Sequence, residues 1–361
     1  MNKRIYLCLA HMSETGMEQK YIQEAFDCNW VVPLGPNVNG FEEDLEVFVN
    51  NTQRQNSHTP LNKRVVALSA GTAAVHLALL ACGVSSGDEV IVQSFTFCAS
   101  SHPVTYLGAT PVFVDSEADT WNMDPVLLEE AIKERLEKTG KLPKAIIPVH
   151  LYGMPGKMDE VMEVANCYGI PVLEDSAEAL GSEYKGRKCG TFGEYGVLSF
   201  NGNKMITTSG GGALICPNEE KAKRALFYAT QAREQAPHYQ HEKIGYNYRM
   251  SNICAGIGRG QMFVLDEHIA RRREIHDLYV KLLAGVKGVK VMCQPEGGDF
   301  NSNYWLTCIT VEPGVAGFTR ENVRLALDAD NIESRPLWKP MHLQPVFKDA
   351  PFYGNGTSER L

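Results

Sequence analysis

Between residues 65 and 216, short apolar runs alternate with segments of helical period, and no other property of the chain restricts the fold as much. Strands are read at 65–68, 89–93, 111–114, 144–150, 171–174, 196–200 and 212–216. Helices are read at 72–81, 125–138 and 158–168, the second with its apolar residues on one face. Strands that alternate with helices are joined by crossovers, which place helices on both faces of a largely parallel sheet. An α/β architecture follows. Past Asn252 the texture changes. Residues 261–283 read as one long helix carrying Arg271, Arg272 and Arg273, a solvated basic face. Strands at 289–292 and 304–311 and a helix at 320–328 complete a smaller α+β unit. The expected organisation is an N-terminal segment, 1–60, packed with the small domain or across a partner, a large domain, 61–251, and a long helix with a small domain, 252–361. The polar stretch 50–63 reads as an exposed loop before the first core strand.

Composition narrows the function. A chain of 361 residues can bury a large core without disulfide or metal staples. Its 35 basic and 43 acidic residues leave a net charge of −8, spread along the chain. That speaks against nucleic acid or an anionic membrane as main partner, but leaves room for an anionic small molecule at a local site. The ten cysteines stand singly with no Cys-x-x-Cys pair, as buried small hydrophobes of a reducing compartment would. The apolar run 5–10 is too short for a secretion signal. No run reaches the ~18 apolar residues of a membrane span. A cytoplasmic protein is expected.

In open parallel sheets, ligands bind beyond the carboxyl ends of the strands, so the residues at those ends carry the chemistry. Ser69-Ala70-Gly71-Thr72 closes the first core strand and opens a helix. Gly71 permits a tight turn, and the amides of Thr72 and Ala73 at a positive helix end suit a phosphate. A plain N-cap by Ser69 or Thr72 is the alternative. Glu174-Asp175 ends another strand, where a carboxylate can pair with a cationic ring nitrogen, bind a metal, act as base, or merely face solvent. Lys204 follows an apolar strand and precedes Gly210-Gly211-Gly212; partial burial makes such an amine a nucleophile toward carbonyl carbon. Phe95 and Phe97 alternate with Thr96 at a strand end, one for the core and one for a ligand.

Other features point nowhere. No Walker motif is present, and Gly256-x-Gly258-x-Gly260 follows no strand and reads as helix packing. His238 and His241 have ligand-like spacing without a third ligand near in sequence, so no metal is expected. A phosphate cradle, an acid for a ring nitrogen, a flat aromatic and a buried lysine together are what pyridoxal phosphate requires.

The motifs SAGTAAVHLAL, SFTFCAS, TPVFVD, HLYGMP, EDSAEALGS, SFNGNKMITTSGGG, IGYNYRMSN and RPLWKPMH occur in this order. With them the chain, from about Leu34 to its end, resembles the DegT/DnrJ/StrS family of pyridoxal-phosphate-dependent nucleotide-sugar aminotransferases, of the aspartate-aminotransferase-like fold, type I. The resemblance implies that Lys204 forms the Schiff base and shuttles the proton. It implies that Asp175 pairs with the pyridinium nitrogen, that Phe97 stacks on the ring and that Glu178 lies near its phenolic edge. Gly71, Thr72, Ala73 and Ser199 would hold the phosphate, completed by Asn247 of a neighbouring subunit in a homodimer. His238, Tyr239, Arg249, Arg335, Trp338 and His342 are, by position, candidate contacts to the sugar nucleotide.

The implied reaction takes an amino group from an amino acid, usually glutamate, and delivers it to a keto group of a nucleotide-linked sugar. The wording of SFNGNK and RPLWKPMH is similar to the branch acting at carbon 4 of UDP-linked 4-keto-6-deoxy-N-acetyl sugars, as in bacillosamine synthesis. Related sugar dehydratases carry histidine where this chain keeps Lys204, which favours amino transfer over dehydration. A cofactor-binding regulator without turnover is a further alternative. In that family the chain usually continues past the position of Leu361 with a leucine-proline-serine-glycine stretch, a point at which this sequence departs from the family pattern.

Overall fold

All seven strands read between residues 65 and 216 form, six of them running in one direction. The computed structural model describes residues 3–51 and 61–361, so most of the loop read at 50–63 lies outside the described residues. The N-terminal half contains α1 (Met17–Asp27), α2 (Pro36–Asn50), β1 (Arg64–Leu68), α3 (Gly71–Ala81), β2 (Glu89–Gln93), α4 (His102–Tyr106), β3 (Thr110–Val114), α5 (Pro125–Thr139), β4 (Ala145–Ile147) and α6 (Met158–Tyr168). Then follow β5 (Leu173–Asp175), β6 (Glu183–Tyr184), β7 (Arg187–Lys188), β8 (Tyr195–Ser199), β9 (Gly212–Cys216), α7 (Glu219–Ala229), α8 (Asn252–Met262) and α9 (Leu265–Leu283). The chain ends with β10 (Val289–Val291), β11 (Phe300–Asn301), β12 (Ile309–Val311), α10 (Pro313–Ala316), α11 (Arg320–Ala329), β13 (Phe352–Tyr353) and α12 (Thr357–Arg360).

Strands β1-β9-β8-β5 form one four-stranded array and β13-β3-β2-β4 another. Parallel bridges Ile146–Val172 and Val149–Asp175 join β4 to β5, giving one continuous sheet in which β9 alone runs antiparallel. The two-residue period of a strand explains why these segments read as unbroken apolar runs. Val90 and Val92 face a cluster with Phe113, Ile147, Leu77 and Tyr195. Ile91, between them, faces the opposite cluster with Val112, Ile146, Leu128 and Val161. Each face is covered by helices, so both sets of side chains leave water. The mixed α/β sheet of a type I fold is therefore as expected.

Three segments differ from the sequence reading. The helix expected over 261–283 is two helices, α8 and α9, broken at Phe263 and Val264. The side chain of Gln261 is tied down there by Glu18 and by the His11 carbonyl, at 2.8 and 3.0 Å, and the turn tightens. Gly256, Gly258 and Gly260 lie on α8 against Asn37, Phe41 and Glu18, where a β-carbon would meet those residues at 2.6–2.9 Å. Helix packing is thus their use. The strand expected over 304–311 begins only at Ile309, because Asn303 bends the chain back by donating to the carbonyls of Glu178 and Leu180. Finally, β13 adds a parallel strand to β3, and the Asp115 carboxylate accepts the amides of Thr357 and Ser358 at 3.0 and 3.1 Å. The end of the chain therefore returns to the large sheet rather than staying with the smaller unit after residue 252.

All ten cysteines are free, but Cys28, Cys167 and Cys293 are exposed, so the buried-hydrophobe reading fits only some of them. Among the described residues no helix is long and apolar enough to cross a membrane.

Candidate active site

The carboxyl ends of β1, β8 and β5 lie along one edge of the sheet, with the start of β9 between β1 and β8, and the loops leaving them gather the candidate residues. Gly212 is in register with both Leu68 and Ser199. Any side chain at Gly212 would collide with the Gly71 amide and the Ala70 backbone, so glycine lets the start of α3 sit against Ser199. A β-carbon placed on Gly71 would lie 3.4 Å from Ser199 Oγ. The N-cap of α3 is Ala70 in extended conformation, and no side chain caps the helix. Neither Ser69 nor Thr72 plays the capping role allowed from sequence. The first-turn amides of Gly71, Thr72 and Ala73 thus remain at a positive helix end beside a hydroxyl, which is an anion cradle.

Strand alternation separates the two acids at the end of β5. Glu174 points into the core, where its carboxylate accepts the amides of Gly190 and Gly193 at 2.8 and 2.6 Å and meets His150 Nε2 at 3.1 Å. The Gly156 amide donates to His150 Nδ1, so the ring carries its proton on Nε2 and gives it to Glu174. Burial alone would push Glu174 up, but His150 and the two amides outweigh it and hold the carboxyl below its ordinary value. Asp175 points the other way. Its Oδ2 accepts from Ser100 Oγ at 2.6 Å and its Oδ1 from the Ala177 amide at 3.1 Å.

Lys204 follows β8 on a turn closed by its own amide to the Asn201 carbonyl. Its Nζ lies 3.4 Å from Glu178 Oε1 and 4.4 Å from the centre of the Trp305 ring. Glu178 also accepts the Tyr152 amide at 2.7 Å. Burial, abetted by the charge of Asp175, raises the pKa of Glu178 against the opposing pull of Lys204 and that amide. Tyr152 reaches its position through a left-handed backbone, φ 54°, a strained conformation of the kind kept where geometry is functional. Beside Lys204 opens a cavity of about 590 Å³, also lined by His11, Gln261, His268, Arg271 and Arg272.

The two phenylalanines, two positions apart and beyond the end of β2, divide between core and surface. Phe95 is buried against Trp121 and Tyr152. Phe97 is 51% exposed, with its ring 5.4 Å from that of Trp338. Trp338 packs on Tyr152 and donates its amide to the Tyr152 hydroxyl at 2.9 Å, so an aromatic wall runs from Phe97 toward Lys204.

The other candidates lie apart from this group. Arg249 is internal: it forms a two-pronged ion pair with Glu42 and donates to the Ala67 carbonyl at 3.0 Å. His342 is likewise committed, to Ser94 at 2.7 Å and Glu359 at 3.0 Å, with its ring stacked on Phe352. Both side chains are thus engaged within the chain. Arg335 is exposed and paired with Glu333. His238 and Tyr239 lie exposed on the segment after α7, Tyr239 beneath the Arg233 guanidinium at 4.1 Å, and Asn247 is exposed where the chain returns to bridge Thr230. The Arg271–Arg273 run is not one solvated face, since Arg272 reaches Cys8 Sγ at 3.0 Å and Arg273 the Ser302 carbonyl at 2.8 Å.

Sequence reasoning missed Ser100, Thr96, Tyr152 and Trp305 as parts of the site. Ser100 and Thr96 stand inside SFTFCAS, and the strand-end position of that motif was the available signal. An uncapped helix end, a strand-end carboxylate, an exposed ring and a half-shielded amine fit pyridoxal phosphate in phosphate, ring nitrogen, ring face and carbonyl respectively.

Comparison with known proteins agrees with this geometry. Residues 13–359 match the DegT/DnrJ/EryC1/StrS aminotransferase family. EpsN of Bacillus subtilis (strain 168), assigned by its name as a pyridoxal phosphate-dependent aminotransferase, is 50% identical over 355 residues, 98% of this chain and 87% of that protein. A GDP-perosamine synthase of Escherichia coli O157:H7 is 38% identical, over 95% of this chain and 88% of its own. The crystal structure of a DegT DnrJ EryC1 StrS aminotransferase from Brucella abortus superposes with a TM-score of 0.85 at 29% identity, covering 95% of this chain and 87% of that one.

Proposed function

This chain belongs to the DegT/DnrJ/EryC1/StrS aminotransferase family, and from that premise we propose that it transfers the amino group of an amino acid, L-glutamate in our reading, to the keto group at carbon 4 of a UDP-linked 4-keto-6-deoxy-N-acetyl sugar. The observation that carries the proposal is the placement of Lys204 Nζ 3.4 Å from Glu178, beside Trp305, at the end of the sheet that also presents Asp175.

Bound pyridoxal phosphate supplies an electrophilic carbonyl and a ring that takes up carbanion charge. The chain's own residues do the rest. Gly71, Thr72, Ala73 and Ser199 bind the phosphate with amides and a hydroxyl. Asp175 would pair with the ring nitrogen and keep it protonated, and Phe97 would stack on the ring. Lys204 is the nucleophile and moves the proton between donor or acceptor carbon and its own Nζ. Glu178 lies close enough to that nitrogen to hold a proton for it, and its burial raises its affinity for one.

The active unit in this reading is a homodimer, in which Asn247 of one protomer completes the phosphate site of the other. Support comes from the segment leading to Asn247, where Tyr239 and Ile244 are 78% and 85% exposed, apolar surface that a second copy would cover. Ten free cysteines agree with a reducing, cytoplasmic setting.

The test is direct. Purified protein loaded with pyridoxal phosphate should change its visible absorption on addition of glutamate. The aminated protein should then convert a UDP-linked 4-keto sugar to a 4-amino sugar, read by mass and NMR. Absorption that glutamate leaves untouched would refute glutamate as donor, and amination of only GDP- or dTDP-linked sugars would refute the UDP assignment.

A further inference from the structure

We propose that Ser100 is a positioning residue for amino transfer: its hydroxyl, oriented by Thr96, fixes the Asp175 carboxylate against the ring nitrogen of the cofactor. The inference rests on the reading of Asp175 as the partner of that nitrogen.

The hydrogen bonds have only one consistent direction. Ser100 Oγ lies 2.6 Å from Asp175 Oδ2, and Thr96 Oγ1 lies 2.7 Å from Ser100 Oγ. An ionised carboxylate only accepts, so Ser100 must give its single proton to Asp175. Its oxygen then accepts from Thr96, and the relay runs Thr96 to Ser100 to Asp175. Both residues are 1% exposed, so water has little access to either bond. A hydrogen bond to a charged group in such surroundings is stronger and more directional than one at the surface.

The relay also links two faces of the ring site. Phe97 leads directly into the short 3-10 turn Cys98–Ser100, and the Ser100 amide donates back to the Phe97 carbonyl at 3.2 Å. One turn therefore carries both the stacking ring and the hydroxyl that clamps the acid. The Ala177 amide on Oδ1 completes the clamp, leaving the carboxylate with lone pairs to offer but little freedom to rotate.

The experiment compares Ser100→Ala, Ser100→Thr, Thr96→Val and Asp175→Asn in the full-length chain. For each, it measures the dissociation constant of pyridoxal phosphate, the pH titration of the bound cofactor's absorption, and kcat and KM separately. Ser100→Ala should bind the cofactor about tenfold or more weakly, the scale of a hydrogen bond to a charged group. Its titration should move in the same direction as that of Asp175→Asn, with kcat falling more than KM rises. Thr96→Val should show a smaller change of the same sign, and Ser100→Thr should restore most of the wild-type values. Wild-type affinity and titration in Ser100→Ala, with both altered in Asp175→Asn, would overturn the role of Ser100 alone. Wild-type behaviour in Asp175→Asn would overturn the Asp175 reading and this inference with it. Should Ser100→Ala fail to fold, Thr96→Val and Ser100→Thr still decide: an unshifted titration in Thr96→Val together with a disturbed one in Ser100→Thr would refute the relay.

Discussion

The ammonium of Lys204 rests over the Trp305 indole, 4.4 Å from the ring centre, while the indole N–H donates to the carbonyl of Asn203, the residue just before Lys204, at 2.6 Å. One buried side chain therefore fixes both the backbone that carries the amine and the amine itself. A cation over an indole face is worth about 0.5–2 kcal/mol, so the lysine has a defined resting place rather than a free swing.

Replacing Lys204 by alanine is expected to abolish amino transfer while leaving a cooperatively folded protein. The change leaves Glu178 without its cation, but that carboxyl already has a raised pKa and can take up a proton instead of remaining charged. Stability should fall by no more than about 1–2 kcal/mol. Urea denaturation and a glutamate half-reaction assay check the two halves of this statement. Turnover surviving in Lys204→Ala would remove the lysine from the chemistry.

Glu174 governs acid stability, not catalysis. Its folded pKa is depressed, so its stabilisation is fully present above the unfolded value near 4.3 and is lost as pH falls through the folded value. Glu174→Gln puts an amide among donors, and breaking such a buried arrangement costs about 3 kcal/mol or more at neutral pH. The deficit relative to wild type should be largest at pH 7 and close as both proteins are taken below about pH 4. Glu178 contributes with the opposite sign, because its raised value means that the ionised form costs stability at neutral pH. Melting curves across pH 3–8 measure both. A deficit that stays constant with pH would contradict the ionised state of Glu174.

Arg249 should prove to be a folding residue. The Glu42 carboxylate also accepts the Ala67 amide at 2.7 Å, so the Arg249–Glu42 pair ties α2 to β1. Arg249→Ala leaves a largely buried carboxylate unpaired, at a cost of about 3–5 kcal/mol. The expected result is a lower denaturation midpoint with the KM for the proposed nucleotide-sugar substrate unchanged in the surviving folded protein. A raised KM without loss of stability would return Arg249 to the substrate site.

How far the sequence led can be seen in these same residues. Asp175, Lys204 and Gly71 were legible because each stands where an apolar strand ends, a position that periodicity locates. The separation of Asp175 from Glu174 follows from strand alternation once the strand is known, whereas Phe97 parts from Phe95 because the chain has left β2 at Gln93 and enters the 3-10 turn at Cys98. What periodicity does not carry is the partner across the fold. Arg249 and Glu42 are 207 positions apart, and His342 and Ser94 are 248 apart. Both Arg249 and His342 therefore looked free when read locally. Asn303, which shapes the loop behind Glu178, stands just before the stretch 304–311 whose β-propensity reads as strand; its buried side-chain hydrogen bonds to the Glu178 and Leu180 carbonyls override that propensity at the start of the stretch. The return of β13 to the sheet was invisible for a related reason, since a strand two residues long has no period.

The proposed sharing of Asn247 between protomers makes a quantitative prediction that no single variant can make. Lys204→Ala and Asn247→Ala homodimers should each be poor enzymes, the first inert and the second short of a phosphate ligand. In a mixed dimer, the protomer with intact Lys204 would receive Asn247 from its partner, so one of the two sites is whole and the other doubly damaged. Equal mixing by unfolding and refolding yields half mixed dimers, and about one quarter of wild-type activity should return, above the residue left by Asn247→Ala alone. Recovery should track the mixed species as the ratio of the two variants is changed, with a maximum at equal amounts. Were Asn247 to serve the site of its own chain, each Lys204-bearing site would still lack it after mixing, and activity would only follow dilution of the Asn247→Ala protein.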